Sequence, residues 1–498
     1  MPKNIILCSD GTGNSTIKNR GTNVYKLYEA VDLETPPGED FQVAFYDDGV
    51  GTGSLKLLRA LGGAFGYGFA RNVRQLYTYL ARVYRPGDRI YLFGFSRGAY
   101  TVRALAGMVG TCGILDGDKL SEPELRRTVS EAYDVYRLGY RPERWHAAAA
   151  RRAAGFRRTH SVYEPGNPVR ITFIGVWDTV GAVGLPDDAW LKKVLWVLTG
   201  FRIPWFKHYG LGDCVDRACH ALAIDDERQT FHPILWEERL ASGKPDPRLD
   251  QVWFPGVLSN VGGGYVKQGM SLVTLSWMMR HARAAQLRFS ALDGQTYFER
   301  QNVHDKLYDS RSGTGFFYRY SPRDVLAISR KFGIDRPRVH ARAFDRVGLR
   351  TEGYAPGNVP SNCVVVGPGV DPARLAKIET AVRTTLRAGL PLDSARGLIR
   401  VRQLAYVLSL GCVGVAAVGA LGHGLATEGL GTTAAAVVSV SGLAGLARDV
   451  AVVYPALYAW LGAGAVTGWL SSWVARRRMA DRFAEVWRPG LSDLRPVS

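Results

Sequence analysis

Short apolar runs recur along the first half of the chain, and each one ends in polar or glycine-rich residues. The runs cover residues 5–8, 42–46, 89–93, 171–176 and 252–257, and stretches of helical character separate them. Continuous apolar strands that alternate with helices predict an α/β fold, with a parallel sheet covered by helices on both faces. In such sheets ligands bind beyond the carboxyl ends of the strands. We therefore expect the polar segments that follow these runs to meet along one edge of the sheet.

The third run leads into Gly94, Ser96 and Gly98, which form the pattern G-x-S-x-G. A helical pattern follows at residues 99–105, so the serine lies between a strand and a helix. This is the context of the nucleophile elbow of α/β-hydrolases. The glycines lack Cβ atoms and permit a turn sharp enough to expose the serine Oγ. The helix N-terminus favours the negative charge that develops on a substrate. The pattern predicts Ser96 as a catalytic nucleophile.

A serine nucleophile needs a base, and the base needs a carboxylate that orients it. In α/β-hydrolases the chain order is serine, acid, histidine. Asp178 follows the fourth apolar run and lies between Ser96 and the last run, so we predict that it is the acid. The alternative is that Asp178 caps the next helix.

The reaction also needs N–H donors for the oxyanion. The segment Asp10, Gly11 and Thr12 follows the first run, and its backbone is predicted to supply one donor. A plain β-turn is the alternative for this segment. Arg97 or Gly98, at the start of the helix after the serine, is predicted to supply the second donor.

Seven segments in a fixed order resemble one protein family, the type VI secretion lipase effector-like α/β-hydrolases. The resemblance extends over about the first three quarters of the chain, to about residue 360. It implies a lid-bearing hydrolase of lipid or other carboxylic esters, because characterised members cleave phospholipid esters. We therefore expect a catalytic domain at residues 1–362 with a lid at about 185–250. The segments are residues 10–14, 23–24, 46–52, 86–98, 177–181, 220–225 and 253–257.

One departure from the family pattern bears on activity. The family has a catalytic histidine and an aspartate after the last of these strands, where this chain has Leu258 and Asn260. A leucine cannot accept a proton, and loss of a triad member leaves only residual catalysis. His220 and His232 are the first candidates for a substitute base, although a lone histidine is more often structural. The alternative function is a pseudo-hydrolase that binds lipid or a partner protein.

The C-terminal part of the chain predicts a membrane anchor. Residues 403–427 contain no Asp, Glu, Lys or Arg, and residues 450–475 repeat the pattern with aromatic side chains near the ends. Each stretch is long enough to span a bilayer. Residues 429–447 are richer in small residues and are expected to be re-entrant or interfacial. The alternative is a soluble helical hairpin that packs on the hydrolase domain.

Arginines predict the topology of this anchor. Arg400 and Arg402 precede the first span, and three arginines follow the second at 476–478, so two crossings keep both groups cytoplasmic. We expect a linker with an amphipathic helix at 363–402, transmembrane helices at 403–475 and a basic cytoplasmic tail at 476–498. The linker helix is expected to break near Gly389.

Composition agrees with a cytoplasmic domain held at the inner membrane. The chain has 498 residues, 46% of them hydrophobic, and a formal net charge of +18, which suits an anionic leaflet. Nucleic acid is not an expected partner, because the chain has no aromatic-basic RNA motif.

The six cysteines are scattered without a C-x-x-C, so we expect neither disulfides nor a zinc site. No cofactor is expected. Residues 5–8 already read as a strand, so no signal peptide is expected.

The segment 190–206 is apolar but interrupted by two lysines and an arginine. Tryptophans with flanking basic residues suit the interface of a bilayer. We expect this segment to form a lid that enters the interface, and a buried packing helix is the alternative.

Overall fold

The computed structural model describes residues 2–11, 21–34, 38–48, 64–140, 143–162, 169–181, 209–240, 242–313, 315, 318–367, 369–387, 389–427, 429 and 440–495. Several predictions fall wholly or partly outside the described residues: the oxyanion role of Thr12, the lid at about 185–250 as far as residue 208, the interfacial segment at 190–206, and most of the re-entrant segment at 429–447.

The described strands form one eight-stranded parallel sheet in the order β2-β1-β3-β4-β5-β6-β7-β8. The predicted α/β fold with a parallel sheet is therefore confirmed. All carboxyl ends of the strands lie at one edge of the sheet, which we call the site edge. The strands are β1 (Lys3–Ser9), β2 (Phe41–Asp47), β3 (Arg89–Phe95), β4 (Ile171–Trp177), β5 (Ala218–Ala223), β6 (Leu249–Phe254), β7 (Arg338–His340) and β8 (Val364–Val366).

The helices connect and cover these strands and then continue alone in the C-terminal region. They are α1 (Asn23–Glu29), α2 (Ala64–Val83), α3 (Arg97–Cys112), α4 (Glu122–Leu138), α5 (His146–His160), α6 (Leu258–Gly262), α7 (Gly269–Ala284), α8 (Ala291–Glu299), α9 (Val325–Arg330), α10 (Arg342–Gly348), α11 (Pro372–Thr385), α12 (Pro391–Ser394), α13 (Arg396–Thr427), α14 (Val440–Val453), α15 (Pro455–Trp487) and α16 (Leu491–Leu494).

Side chains that alternate along each strand fill two hydrophobic cores. Ile5 and Leu7 of β1 pack on one face with helices α2 to α5. Ile6 and Cys8 of the same strand pack on the other face with α1 and α7. All four side chains are fully buried. Burial on both faces explains why the strands are continuous apolar runs in the sequence.

The catalytic domain extends beyond the predicted boundary at residue 362. Val364–Val366 is strand β8, which pairs with β7 at the edge of the sheet and therefore belongs to the domain. The predicted basic tail at 476–498 is also wrong as a separate region. α15 continues to Trp487, whose indole N–H donates to the carbonyl of Pro356 at 2.8 Å. Trp487 and Leu494 are buried in the same apolar cluster as Phe344 and Val382 of the domain.

The predicted connecting helix is present as two pieces, α11 and α12. They are separated at Gly389, whose φ of +105° is accessible mainly to glycine. Pro391 then opens α12, a position at which proline costs no hydrogen bond. The predicted break is therefore confirmed.

Helices α13 and α15 form an antiparallel pair, which we call the hairpin. Ser409 of α13 donates to the carbonyl of Ala465, and Tyr458 of α15 donates to the carbonyl of Ala416. The predicted span at 450–475 needs one correction. Its first residues belong to α14, and α15 begins at Pro455, because proline cannot donate to the preceding turn.

Among the described helices, α13 is long and apolar enough to cross a membrane by length and composition. Its most apolar window has a mean hydropathy of 2.1, and 22% of that window is buried.

Candidate active site

Ser96 lies at the site edge between β3 and α3, in a strained backbone conformation. Its φ is +56° and its ψ is −117°, a region that residues with side chains rarely adopt. Such strain persists only where the surrounding structure enforces it, and it is concentrated at functional sites. The Ser96 N–H donates to the carbonyl of Trp177 at 2.9 Å, which fixes the turn against β4. The conformation is that of a nucleophile elbow.

Gly98 permits the close contact that this turn requires. A Cβ atom at Gly98 would lie 2.1 Å from the carbonyl oxygen of Ser9 and 2.7 Å from that of Asp10. A Cβ atom at Gly94 would lie 2.6 Å from the Cα of Ala99. Both glycines of the motif are therefore required by space, and the start of α3 is pressed against the end of β1.

The segment predicted to bind the oxyanion is held by the Asp10 carboxylate. The Gly11 N–H donates to Oδ1 of Asp10 at 2.6 Å, so this donor is engaged within its own loop. The other oxygen of Asp10 accepts hydrogen bonds from the hydroxyls of Thr22 and Tyr46. Arg97 is the first residue of α3, whose first-turn N–H groups have no acceptor within the helix. The geometry thus favours the α3 side for an oxyanion.

Asp178 follows β4 as predicted, and both of its oxygens are engaged by an arginine. Arg323 donates to Oδ1 and Oδ2 at 2.8 Å each, and the Ala223 N–H donates to Oδ1 at 3.1 Å. Both side chains of the pair are fully buried. Burial raises the pKa of Asp178, although the charge of Arg323 opposes this shift. Asp178 is therefore part of the site edge, and its role as the acid stays a prediction.

Asp226 is a second carboxylate at the site edge, which sequence reasoning missed. It follows β5 and accepts the backbone N–H of Leu258 at 3.2 Å on Oδ2. Arg228 donates to the same carboxylate at 3.0 and 2.7 Å. Burial alone would raise the pKa of Asp226, but the hydrogen bonds and charge of Arg228 lower it below its usual value. The sequence does contain one signal for Asp226, because it directly follows Asp225, the last residue of one of the seven segments that resemble the family.

Leu258 is the first residue of α6 and occupies the expected position of the catalytic base. Its side chain is buried in the same apolar cluster as Phe95 and Val261. Asn260, which replaces the family aspartate, donates its side-chain amide to the carbonyl of Lys306 at 3.1 Å. The loop thus keeps its fold although it has lost the proton acceptor.

His220 has no free nitrogen to offer Ser96. It is fully buried in β5, where its Nε2 accepts the N–H of Thr179 at 3.1 Å and its Nδ1 contacts the Gln251 side chain. Burial lowers the pKa of His220 well below its usual value, and the charge of Arg103 adds to this effect. The geometry indicates a structural histidine.

His232, the other candidate base, is partly buried in the segment that follows the three carboxylates after β5. Its Nε2 donates to the carbonyl of Ser321 at 3.0 Å. Burial lowers the pKa of His232, while this hydrogen bond and the charge of Asp226 oppose the shift. His232 therefore interacts electrostatically with Asp226, and its role as a base stays a prediction.

Aromatic and basic side chains follow the residues Asp226 and Leu258 along the chain. We call this set, Arg228, Phe231, Tyr265, Tyr308 and Tyr318, the rim. The Arg228 guanidinium lies 3.7 Å from the ring centre of Phe231 and 5.7 Å from that of Tyr318. Tyr265 stacks on Tyr308 with ring centres 4.0 Å apart.

Within the described ranges, no group of His, Cys, Asp and Glu side chains is arranged to hold a metal ion.

A cavity of about 730 Å³ lies along α3, beginning at Tyr100, one turn beyond Ser96. Arg103, Tyr136 and Trp236 line it, and Ser96 is not among its described lining residues.

A parallel sheet with a strained serine between strand and helix defines the class of α/β-hydrolases. The family model described as "T6SS, Phospholipase effector Tle1-like, catalytic domain" matches residues 3–281, which is more than half of the chain. The chain belongs to this family. The match ends before residue 360, so the later part of the expected resemblance lies outside it.

Three similar proteins extend the comparison. The uncharacterized protein YEL023C of Saccharomyces cerevisiae is 32% identical over 248 residues, which are 47% of this chain and 33% of that protein. The chain thus spans about a third of the length of this curated relative.

Two solved structures are more distant. An uncharacterized protein from Pseudomonas aeruginosa has 16% identity and a TM-score of 0.35, over 78% of this chain and 54% of its own. The Tle1 effector bound to the VgrG spike of the type 6 secretion system has 17% identity and a TM-score of 0.28, over 53% of this chain and 51% of its own. The fold assignment rests on the sheet and not on these two likenesses.

Proposed function

We propose that this chain is a membrane-held serine hydrolase of lipid esters or related carboxylic esters, with Ser96 as the nucleophile. The observation that carries the proposal is the backbone of Ser96, with a φ of +56° enforced by the close approach of Gly98 to β1. A fold has no need of this strain for its own stability. Membership of a family of phospholipase effector catalytic domains supports a lipid substrate.

The proposed chemistry begins with attack of the Ser96 Oγ on the ester carbonyl carbon. The carbonyl π electrons move to its oxygen, which then carries the negative charge near the first turn of α3. The Ser96 proton passes to solvent, and collapse of the intermediate breaks the bond between the carbonyl carbon and the alcohol oxygen, which takes up a proton from solvent as it leaves. Water then attacks the acyl-enzyme, which releases the carboxylic acid and restores the Ser96 hydroxyl. Leu258 can accept no proton, so removal of the Ser96 proton is the step that this chain performs least well.

A second candidate function is a binding module that keeps the fold without turnover. The observation that favours it is the state of Asp226. Its two oxygens accept hydrogen bonds from the backbone and side chain of Arg228 and from the N–H of Leu258. These hydrogen bonds hold Asp226 in place although the chain has no histidine at position 258 for it to orient. The two candidates differ in whether Ser96 reacts.

We further propose that the hairpin anchors the protein in the inner membrane, with the hydrolase domain on the cytoplasmic side. Exposed apolar side chains run from Leu404 to Leu425 along α13 and from Leu457 to Val474 along α15. At about 1.5 Å per residue these stretches measure about 32 and 26 Å, close to the roughly 30 Å of bilayer hydrocarbon. Arg400, before the apolar stretch of α13, and Arg476, after that of α15, suit the headgroups of an anionic leaflet.

The proposed activity is tested with purified full-length protein in mild detergent. A short-chain p-nitrophenyl ester and phospholipid in mixed micelles serve as substrates. Ser96→Ala should abolish the hydrolysis of both. Ser259→Ala provides the matched control, because Ser259 lies on α6 beside Leu258, and this variant should retain the activity. Equal rates for the native chain and Ser96→Ala would favour the binding module.

A further inference from the structure

Three consecutive carboxylates follow β5, and each one has a different partner. Asp225 accepts the N–H of Gly256 at 2.6 Å, and Asp226 accepts the N–H of Leu258 at 3.2 Å. Glu227, the third, accepts both hydrogen bonds of an arginine from the hairpin. A single loop therefore joins the candidate active site to the proposed membrane anchor.

The arginine is Arg402, near the start of α13. Its two terminal nitrogens donate to the two oxygens of Glu227 at 3.0 Å each, and its side chain is only 4% exposed. The guanidinium also lies 3.7 Å from the ring centre of Tyr320. A two-point pair between a guanidinium and a carboxylate fixes direction as well as distance. The direction of α13 is thereby fixed relative to the loop that carries Asp226.

The second helix of the hairpin is tied to the rim of the site. Arg476 of α15 forms an ion pair with Asp309. The preceding residue, Tyr308, stacks on Tyr265, which follows the glycines after α6. We call the two ion pairs, Arg402–Glu227 and Arg476–Asp309, the hairpin root.

The root lies near the end of the exposed apolar surface of the hairpin, which extends along α13 as far as Val401. Leu404 is 70% exposed and follows Arg402 by two residues, and Val474 is 41% exposed and precedes Arg476 by two residues. A bilayer in contact with this surface would have its hydrocarbon boundary near the root, with the exposed side chains of Arg400 and Arg476 among the headgroups. A protein partner would explain neither the bilayer-matched lengths nor the arginines at this boundary.

We propose that the hairpin root holds the rim of the active site at the headgroup level of the membrane that the hairpin crosses, so that lipid reaches Ser96 from that same leaflet. The lipid substrate rests on the proposed hydrolase activity, whereas the orientation of the domain rests only on the proposed membrane anchor. Arg402 is a positioning residue in this scheme, because it touches the loop and not the reacting atoms.

The orientation is tested in nanodiscs of phosphatidylglycerol and phosphatidylcholine by fluorescence quenching. A fluorophore is attached to Val266→Cys, beside the rim, or to Leu33→Cys, near the amino end of β2 at the opposite edge of the sheet. The two native side chains are matched, with 56% and 54% exposure. The native chain, treated with the same fluorophore, measures the labelling of its own six cysteines. We expect this labelling to be low, because none of the six is exposed. Headgroup-spin-labelled lipid should quench the Val266 position at least threefold more than the Leu33 position.

Arg402→Gln should remove most of this difference, and Arg402→Lys should retain part of it. Arg396→Gln is the matched control, because Arg396 also lies at the start of α13 but in an exposed pair with Asp393. Quenching of a label at Val415→Cys by acyl-chain spin label should be the same in all variants, which shows that the hairpin stays inserted. Equal quenching at Val266 and Leu33 in the native background would overturn the proposal, as would an unchanged difference in Arg402→Gln.

Lipid hydrolysis separates this inference from the proposed function. Proteoliposomes should cleave their own labelled lipid, and Arg402→Gln should reduce that rate at least tenfold while hydrolysis of a soluble short-chain ester changes less than twofold. Parallel loss of both activities would contradict a positioning role. If no ester is cleaved but the quenching pattern holds, the proposed function fails and the orientation stands.

Discussion

Leu258 donates its backbone N–H to Oδ2 of Asp226 at 3.2 Å. The residue at the family's base position therefore lies directly beside a buried carboxylate. Restoration of an imidazole at this position would place it next to a group able to orient it.

We predict that Leu258→His increases hydrolysis of a short-chain ester by about 10²-fold, the lower end of the usual contribution of a positioned general base. The rate should follow the titration of one group near neutral pH. Leu258→Gln is the control, since glutamine is polar but accepts no proton in this range. A rate for Leu258→His no higher than that of Leu258→Gln would show that the loop does not direct position 258 toward Ser96.

The Leu258→His variant can also show whether Asp226 or Asp178 is the acid that orients the histidine. In the Leu258→His variant, Asp226→Asn should lower the rate by at least tenfold if Asp226 orients the histidine. Asp178→Asn should lower it comparably if the predicted acid is Asp178. Melting temperatures of both double variants separate a lost acid from a lost fold.

The elbow should tolerate no side chain at Gly98. A Cβ atom there would lie 2.1 Å from the Ser9 carbonyl oxygen, so Gly98→Ala should destabilise the protein by about 2 kcal/mol or more, the usual scale of overpacking. Gly155→Ala is the control, because a Cβ atom at this position in α5 meets nothing within 4 Å. It should stabilise the protein by up to about 1 kcal/mol. Denaturant unfolding of both variants in detergent gives the comparison, and similar effects would contradict the described turn.

The Asp178–Arg323 pair should be costly to break. Arg323→Met leaves a fully buried carboxylate without its counter-ion, a change that costs about 3–5 kcal/mol. The double variant Asp178→Asn/Arg323→Met should recover part of this loss. Arg82→Met removes the exposed pair with Glu122 and should cost less than about 1 kcal/mol. Additive effects of the two buried substitutions would contradict direct pairing.

Stability should depend on the protonation of Asp225. Burial raises the pKa of Asp225 to about 7, although the hydrogen bonds from Gly256 and Tyr354 oppose the shift. In the unfolded chain the pKa is about 3.9, so the folded protein retains a proton that the unfolded chain releases. The stability linked to this group is full below about pH 4 and is lost as the pH rises through about 7.

Asp225→Asn should therefore flatten the fall in melting temperature between pH 5 and pH 8. The expected change is about 2 °C or more, the shift that about 1 kcal/mol produces in a large domain. Asp118→Asn, in an exposed pair with Arg85, provides the control. Identical pH profiles for the native chain and Asp225→Asn would contradict the raised pKa.

The elbow was predictable because its cause is local. Strand, glycine, serine, glycine and helix are contiguous, and the strained φ of Ser96 follows from that order. The apolar runs likewise predict a parallel sheet, because burial on both faces removes polar residues from its strands.

The ion pairs of the site could not be predicted in the same way. Arg323 reaches Asp178 across 145 positions, and Arg402 reaches Glu227 across 175. No local pattern distinguishes these arginines from the many others in a chain of net charge +18. The sequence predicts a free basic tail at the end of α15 for a related reason, since Trp487 is buried only because α15 returns to the domain.

The central claim is that the strained serine is a working nucleophile, and covalent labelling tests it most directly. Purified protein is incubated with a fluorophosphonate probe, and the modified residue is located by peptide mass spectrometry. We expect a single adduct on Ser96 that is absent in Ser96→Ala and forms faster in Leu258→His. A native chain that stays unlabelled while Leu258→His is labelled would contradict the hydrolase and identify the natural protein as a binding module.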